Sequence, residues 1–471
     1  MTDEISTSEL MQQVRAEQKI IRFPKVHDGD PLTEDALALR FSERHENDLR
    51  YVAAKAQWFK WDGVRWCPEP THLAFDLARD SCRTDAETYG NGKPLAVTAQ
   101  MVAAVERMAK ADRRQAATLE QFDADGWLIN SATEDDMATA QTFDLRNGTA
   151  RAPSPGDFIT KKTACAAAAP GTPHPLWTMF LDKITAGNVE LQKFLQRYIG
   201  YCCTGATDEH VFVFAYGTGA NGKSTFINTV LKILGDYGTV ADVGTFIASN
   251  YERHPTDMAK LHGARLVVAQ ETEKGRRWDE AKIKTMTGGD KMAARFMRQD
   301  FFDFIPTFKL FITGNHKPRL ENVDEAMRRR LLLVPFVVQI PPEERDPDLP
   351  EKLKGEWPAI LRWCLDGCGE WRRIGLAPPD LVTEATKSYF DDQDVLREWL
   401  EDCTADGGPF AFTASTQLYA SWKQWCDERG MEPGTVKALS DGLTDRGYIP
   451  KRTKRGRGFQ SLVLKQADSE G

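Results

Sequence analysis

The sequence predicts an α/β protein built on a parallel sheet with helices on both faces, an α+β region before it and a helical region after it. Three observations carry that prediction. VFVFAY (211–216), ARLVVAQ (264–270), FKLFITG (308–314) and RRLLLVPF (329–336) are apolar without alternation, as strands buried on both faces are. Helical patterns separate them, the order expected of βαβ units. A glycine-rich turn, GTGANGKST (217–225), joins the first strand to a helix running from Lys223 to about Gly235.

In chain order, residues 1–30 are polar, mixed in charge, and read as a flexible tail. Residues 31–170 read as an N-terminal α+β domain. There RYVAAKAQWFKWDGVRW (50–66) sets an Asp62-Gly63 turn between two aromatic runs and predicts a hairpin. Helical spacing follows over 73–89 and 100–117. The composition of AAAAPGTPHP (166–175) suggests a linker. The sheet domain takes 171–345, opening with helical patterns over 176–204. Residues 346–400 form a Trp-rich helical extension, and 401–471 a winged-helix-like unit. Its final strand, FQSLVLK (459–465), follows the basic turn KRTKRGRG (451–458).

A chain of 471 residues predicts about three domains. The net charge of −8 announces no nucleic-acid binder globally, although the basic turn is a local exception. The nine cysteines are scattered and lack the spacing of a zinc site, so they read as buried reduced thiols. No apolar run approaches the ~20 residues of a membrane span. The N-terminus has no apolar signal core, and the expectation is a cytoplasmic protein with no membrane partner.

Gly217, Thr218, Gly219, Ala220, Asn221, Gly222, Lys223 and Ser224 match GxxxxGK[ST], with Thr225 next. Glycines let several backbone N–H groups converge on one phosphate, and the following helix adds its N-terminal positive charge. Lys223 would reach the β- and γ-phosphates, and the Ser224 hydroxyl would hold Mg²⁺. Past the second strand, Glu271 and Glu273 could polarise an attacking water, with Glu271 also a metal candidate; two solvated loop glutamates would look the same. Asn315 is a polar residue where a buried strand emerges, as a turn former would also be.

The order GTGANGKST, ARLVVAQETEKG, IKTMTGGDKMAARFM, FKLFITGNHKP and DEAMRRRLLLVPF resembles the superfamily 3 helicases of the phage and plasmid primase-helicase family, related to the poxvirus primase-helicase. Those are AAA+-like P-loop ATPases that form hexameric rings on DNA. The resemblance is strongest over 200–340 and weaker in the flanks. It puts Glu271 on the acidic Walker B position, Asn315 on the sensor asparagine, and Arg329 and Arg330 on the arginine pair whose finger completes a neighbouring subunit's site. Gln270 stands where the commonest ring helicases carry a first acid, which leaves open whether Glu271 or Glu273 activates water. TGGDKMAARFMRQ (287–299) resembles a hairpin that lines the ring channel, where Lys291, Arg295 and Arg298 could grip phosphates. In the basic run, Lys451, Arg452, Lys454, Arg455 and Arg457 read as a winged-helix tip touching DNA or as a solvated charge run.

The resemblance implies ATP and Mg²⁺ as cofactors, a hexameric homo-oligomer, single-stranded or forked DNA as partner, and 3′ to 5′ travel. A separate primase or polymerase is a further expected partner, because Glu134-Asp135-Asp136 sits in a polar, non-strand context and does not read as a polymerase site. The setting implied is replication of a phage, prophage or mobile element in a bacterial cytoplasm. Two other readings compete: an ATP-switched origin-binding initiator that does not unwind, and a packaging motor, which should bring a clustered-carboxylate nuclease site that the sequence does not show.

Overall fold

The four apolar strands of the sequence form one parallel sheet, and a fifth joins them. The computed structural model describes residues 32–89, 96–133, 137–248, 256–270, 277–295, 301–320, 324–454 and 456–465. The proposed tail and the Glu134-Asp135-Asp136 cluster lie outside them.

The N-terminal region opens with α1 (Glu34–Arg44), β1 (Leu49–Val52), β2 (Gln57–Trp61) and β3 (Trp66–Pro68). The expected hairpin is β2–β3, paired antiparallel from Phe59↔Pro68 to Trp61↔Trp66. Asp62 closes its turn by accepting from the N–H groups of Val64 and Arg65, both at 2.8 Å. Helices α2 (Leu73–Tyr89) and α3 (Ala99–Ala109) follow. The second stops short of the expected residue 117. Asp112 accepts from Arg114 N at 2.9 Å, a side-chain turn that competes with helix, and Ala116–Ala117 (β4) then pairs parallel with β1. A second small sheet, β5 (Leu128–Ser131), β6 (Gln141–Asp144) and β7 (Thr149–Arg151), completes the region.

Residues 166–174 of the expected linker carry no regular structure yet are anchored. Ala167 N donates to Ser131 Oγ (2.6 Å) and Ala168 N to Pro358 O (2.9 Å). The expected helix over 176–204 is two helices, α4 (Pro175–Ile184) and α5 (Val189–Cys202). Ala186 and Gly187 take φ of 52° and 73° between them, and Asn188 caps α5 through Leu191 N at 2.9 Å.

The central sheet contains β8 (Phe212–Tyr216), β9 (Gly238–Val240), β10 (Leu266–Gln270), β13 (Lys309–Gly314) and β14 (Leu331–Pro335). Its order is β14-β8-β13-β10-β9 and every pair is parallel. Between these strands lie α6 (Lys223–Leu234), α7 (Thr256–Ala259), α8 (Glu280–Gly288), the hairpin β11 (Met292–Ala294) with β12 (Phe302–Phe304), and α9 (Glu325–Arg328). Helices α10 (Leu349–Lys354), α11 (Trp357–Ile374) and α12 (Asp380–Gln393) follow.

Both faces of the sheet are buried, as the unalternating strands predict. Val213, Ala215, Val268 and Phe311 pack with α4, α5, α6 and α11 in a core that also takes in Ile129 and Phe143. Phe212, Phe214, Val267 and Ile312 pack on the other side with Ile283 of α8 and Phe390 of α12. The first core therefore crosses the expected boundary at residue 170. A separate core joins Trp399 of α13 (Val395–Cys403) to α14 (Ser415–Glu428), α15 (Val436–Asp445) and β17 (Gly456–Leu464), and β17 pairs with β15 (Thr404–Ala414) on one side and β16 (Pro450–Thr453) on the other. The C-terminal unit thus begins with α13, ahead of the expected residue 401. All nine cysteines are free thiols and seven of them are buried. Among the described residues no helix is long and apolar enough to cross a membrane.

Candidate phosphate-binding site

The glycine-rich loop emerges from the C-terminal end of β8 and enters α6 at Lys223. Gly219, Ala220 and Gly222 take φ of 98°, 51° and 81°. This left-handed curl gathers successive N–H groups on one side. The N-cap of α6 is Gly222, with no side-chain cap, so no side chain occupies the first-turn donors. Glycine is required at both ends of the curl. A Cβ at Gly217 would come within 2.3 Å of Phe336 O, and one at Gly222 within 2.3 Å of Ile184 Cγ2.

Lys223 lies inside this loop and is 5% exposed. Its Nζ donates to Gly217 O (2.8 Å) and Asn221 Oδ1 (3.1 Å). Asn221 in turn donates to Phe336 O at 3.1 Å, and Ile340 N donates to Ala220 O at 2.8 Å. The segment after β14 therefore clamps the loop, and its own contribution is backbone oxygen and nitrogen, which leaves no signature in residues 336–340. Burial lowers the Lys223 pKa from its ordinary value. Ser224, in the first turn of α6, is exposed, and Thr225 beside it is half-buried. An uncapped helix start, a concave run of N–H groups and an inward lysine fit an oligophosphate.

The neighbouring strands end at the same edge. Gln270 closes β10, and its Nε2 donates to Asn228 Oδ1 at 2.7 Å, one helical turn from Ser224. Glu271 and Glu273 lie outside the described residues. Asn315 follows directly on β13 and is exposed; Gly314 pairs with Tyr216 at the mouth of the loop. Lys317, which sequence reasoning passed over, stands 4.4 Å from the centre of the Tyr216 ring. Among the described residues no group of three His, Cys, Asp or Glu side chains could hold a metal ion.

Arg329 and Arg330 sit at the opposite edge. Leu331 pairs with Phe212 where both strands begin, and Pro335 with Tyr216 where the loop begins. Roughly 17 Å of strand thus separates the arginines from the loop of their own chain. The two are not equivalent. Arg330 is buried, its Nε donating to Thr287 Oγ1 (3.2 Å) and its Nη1 to Ala326 O (2.9 Å). Arg329 is exposed. Arg330 is thus held by groups of its own chain, and Arg329 is not.

Of the hairpin β11–β12 only β11 falls within the expected 287–299; its partner strand lies beyond, at Phe302–Phe304. Lys291 is exposed at its base, and Arg295 lies 4.7 Å from the centre of the Phe301 ring. Arg298 falls outside the described residues, as does Arg455. Lys451, Arg452, Lys454 and Arg457 are exposed on the β16–β17 hairpin.

A family model described as "D5 N terminal like" matches residues 38–186, and one described as "Family of unknown function (DUF5906)" matches residues 215–330. The chain is 26% identical over 242 residues to "Putative helicase L207/L206" of Acanthamoeba polyphaga mimivirus, a match covering 47% of this chain and 25% of that protein. It is 26% identical over 268 residues to "Putative helicase 022R" of Frog virus 3, covering 52% and 27%. With "Putative helicase V13" of Sputnik virophage the identity is 31% over 229 residues, covering 45% and 26%. The matches thus span about a quarter of each curated relative. Among solved structures, "The apo structure of NrS-1 C terminal region (305-718)" superposes with a TM-score of 0.50 at 10% identity, covering 94% of this chain and 100% of that one, a likeness of fold. With a D5-type region ahead of the sheet, and the second match running from the phosphate loop to the arginine pair, the chain belongs to the phage and viral primase-helicase family.

Proposed function

We propose that this chain is a nucleoside-triphosphate-driven DNA helicase acting in replication, and that it works as a ring. One observation carries the reading: the uncapped, lysine-bearing loop and the exposed Arg329 occupy opposite edges of one parallel sheet. Counted along the chain, the sheet order is 5-1-4-3-2, with the loop following the first strand. This order and loop support a P-loop, AAA+-like core. In the proposed mechanism the loop N–H groups and Lys223 bind the β- and γ-phosphates of ATP, and the Ser224 hydroxyl holds Mg²⁺. The metal would neutralise charge on the phosphates. Asn315 orients the γ-phosphate side of the site, and an acid following Gln270 serves the attacking water. Because Arg329 is too far from its own loop, it serves a neighbour's, which makes a closed ring the simplest complete assembly. A hexamer, as in the family it resembles, is the expected ring. Lys291 and Arg295 face the DNA, and the curated relatives' helicase names support that substrate.

The test is strand displacement on a forked DNA duplex with ATP and Mg²⁺, beside Lys223→Ala. Displacement by the wild type alone supports the motor. Hydrolysis that never separates strands, together with binding to one origin sequence, points instead to an ATP-switched initiator.

A further inference from the structure

The exposed face of the C-terminal sheet has a composition that phosphate chemistry does not explain. The sheet order is β15-β17-β16, and Phe459 and Leu462 of β17 enter the core beneath it. Above it stand apolar side chains in water: Phe410 is 99% exposed and Ile449 64%. Phe412 is paired with Gln460, whose N–H donates to Ile449 O at 3.1 Å, so these three form one row across the sheet. The next row is Ala414, Gly458 and Lys451. The tip of the Phe412 ring lies over Gly458, where a Cβ would come within 2.7 Å of its Cζ. Only glycine leaves that seat open.

Phe410 projects from a bulge, since the register of β15 against β17 shifts between Gly408 and Phe412. A bulge re-aims a side chain out of the pleat. Lys451 stands on this face, Lys454 lies at the hairpin end, and Arg452 and Arg457, paired two residues from core-facing Phe459, flank it from the other side; all four are exposed, and among the described residues none has a carboxylate within ion-pair distance. The acid nearest along the strand, Asp406, is engaged by Gly408 N at 2.8 Å. Four uncompensated cations stand out in a chain whose net charge is −8. Rings open to solvent, rimmed by unpaired cations, match the needs of an unpaired polynucleotide strand. Its base faces are available for stacking and its phosphates need countercharge.

We propose that this face is a base-stacking platform for single-stranded DNA. Phe410 stacks on a base, Phe412 on its glycine seat supports the neighbouring position, and the hairpin cations hold the phosphates. One strand, β17, separates β15 from β16, which places them two strand spacings or roughly 10 Å apart, a distance that a short run of single strand covers. The proposal rests on the reading of the chain as DNA-acting. It adds which state of DNA this unit takes and by which side chains.

The test uses the full chain without nucleotide, so that binding is scored apart from hydrolysis. Wild type, Phe410→Ala, Phe410→Trp and the double variant Lys451→Ala with Arg452→Ala are titrated against labelled oligo-dT and a blunt duplex at several salt concentrations. Phe410→Ala should weaken oligo-dT binding by about tenfold while leaving duplex binding and the salt slope unchanged, and Phe410→Trp should restore it. The double variant should lower the single-strand salt slope by about 1.4. A 5-iododeoxyuridine oligonucleotide should photocrosslink within residues 404–414. Unchanged oligo-dT affinity in Phe410→Ala, or a loss shared equally by the duplex, overturns the platform. Failure of the wild type to displace strands would sink the motor reading and leave this result standing.

Discussion

Lys223 and Lys309 are both buried, 5% and 2% exposed; the first opens α6 beyond the C-terminal end of β8, and the second opens β13 at the other end of the sheet. The bonds of Lys223 stay within its own loop, to Gly217 O and Asn221 Oδ1. Lys309 instead binds the carbonyls of Thr204, Ala206 and Thr307, while Arg265 beside it binds those of Cys203 and Leu128, both at 2.6 Å. Among the described residues neither Arg265 nor Lys309 has a carboxylate in ion-pair range. The pair staples the carbonyl end of α5, where the helix dipole is negative, to the start of the sheet and to β5. A buried cation is thus recognised by what holds it. Carbonyls drawn from several segments make a fixed joint, whereas on the proposed function a lysine held only by its own loop exchanges those partners for an arriving phosphate.

Removing the exchangeable lysine should have the largest effect. Lys223→Ala is expected to bring phosphate release down by at least about a hundredfold, with the unfolding temperature near that of the wild type; a retained rate would take the loop out of the chemistry. The arginine pair sharpens the same contrast. Arg329→Ala should lower hydrolysis by the assembled protein by about a thousandfold. Mixing it with Lys223→Ala subunits should recover part of the rate, because each supplies what the other lacks. Arg330→Ala removes the partner of Thr287 and Ala326 and should cost about 1–3 kcal/mol in chemical denaturation. Equal losses of rate in both variants, with no recovery on mixing, would break the division of roles. A smaller effect is expected at Lys291→Ala, which should reduce the salt slope of single-stranded DNA binding by about 0.7. An unchanged slope removes Lys291 from the DNA.

What the sequence made legible follows from the same physics. Strands buried on both faces read as unbroken apolar runs, so β8, β10, β13 and β14 were visible together with the loop between β8 and α6. The edge strand β9 has three residues, none of them buried, and offered no such run. Strand β15 was hidden because Gly407, Gly408 and Pro409 form its bulge and read as loop. Arg329 and Arg330 are neighbours in sequence, and only the fold, by bringing Thr287 under one of them, tells them apart. Phe336 and Ile340 clamp the loop with backbone atoms only, taking the Asn221 amide and meeting Ala220 O, so their own side chains carry no signal of it.

The fixed joint makes its own prediction, in pH. Burial draws the Lys309 pKa down from its ordinary value to about 7, whereas in the unfolded chain it titrates near 10.4. Below pH 7 the lysine is charged in both states and contributes no pH dependence. Above pH 7 the folded lysine is neutral while the unfolded one still binds a proton, so this group makes stability rise with pH up to about 10.4, by at most about 1.4 kcal/mol per pH unit. Burial raises the thiols of Cys202 and Cys364 nearby. Their unfolded forms ionise first, so they pull stability down over the alkaline part of the same range. The wild-type curve alone therefore mixes opposite signs, and the informative quantity is the wild type minus Lys309→Met. In urea unfolding that difference should climb from pH 7 to pH 10. A flat difference would mean that the carbonyls of Thr204, Ala206 and Thr307 keep the proton on Lys309, making the joint a permanent charge whose removal weakens the fold equally at every pH.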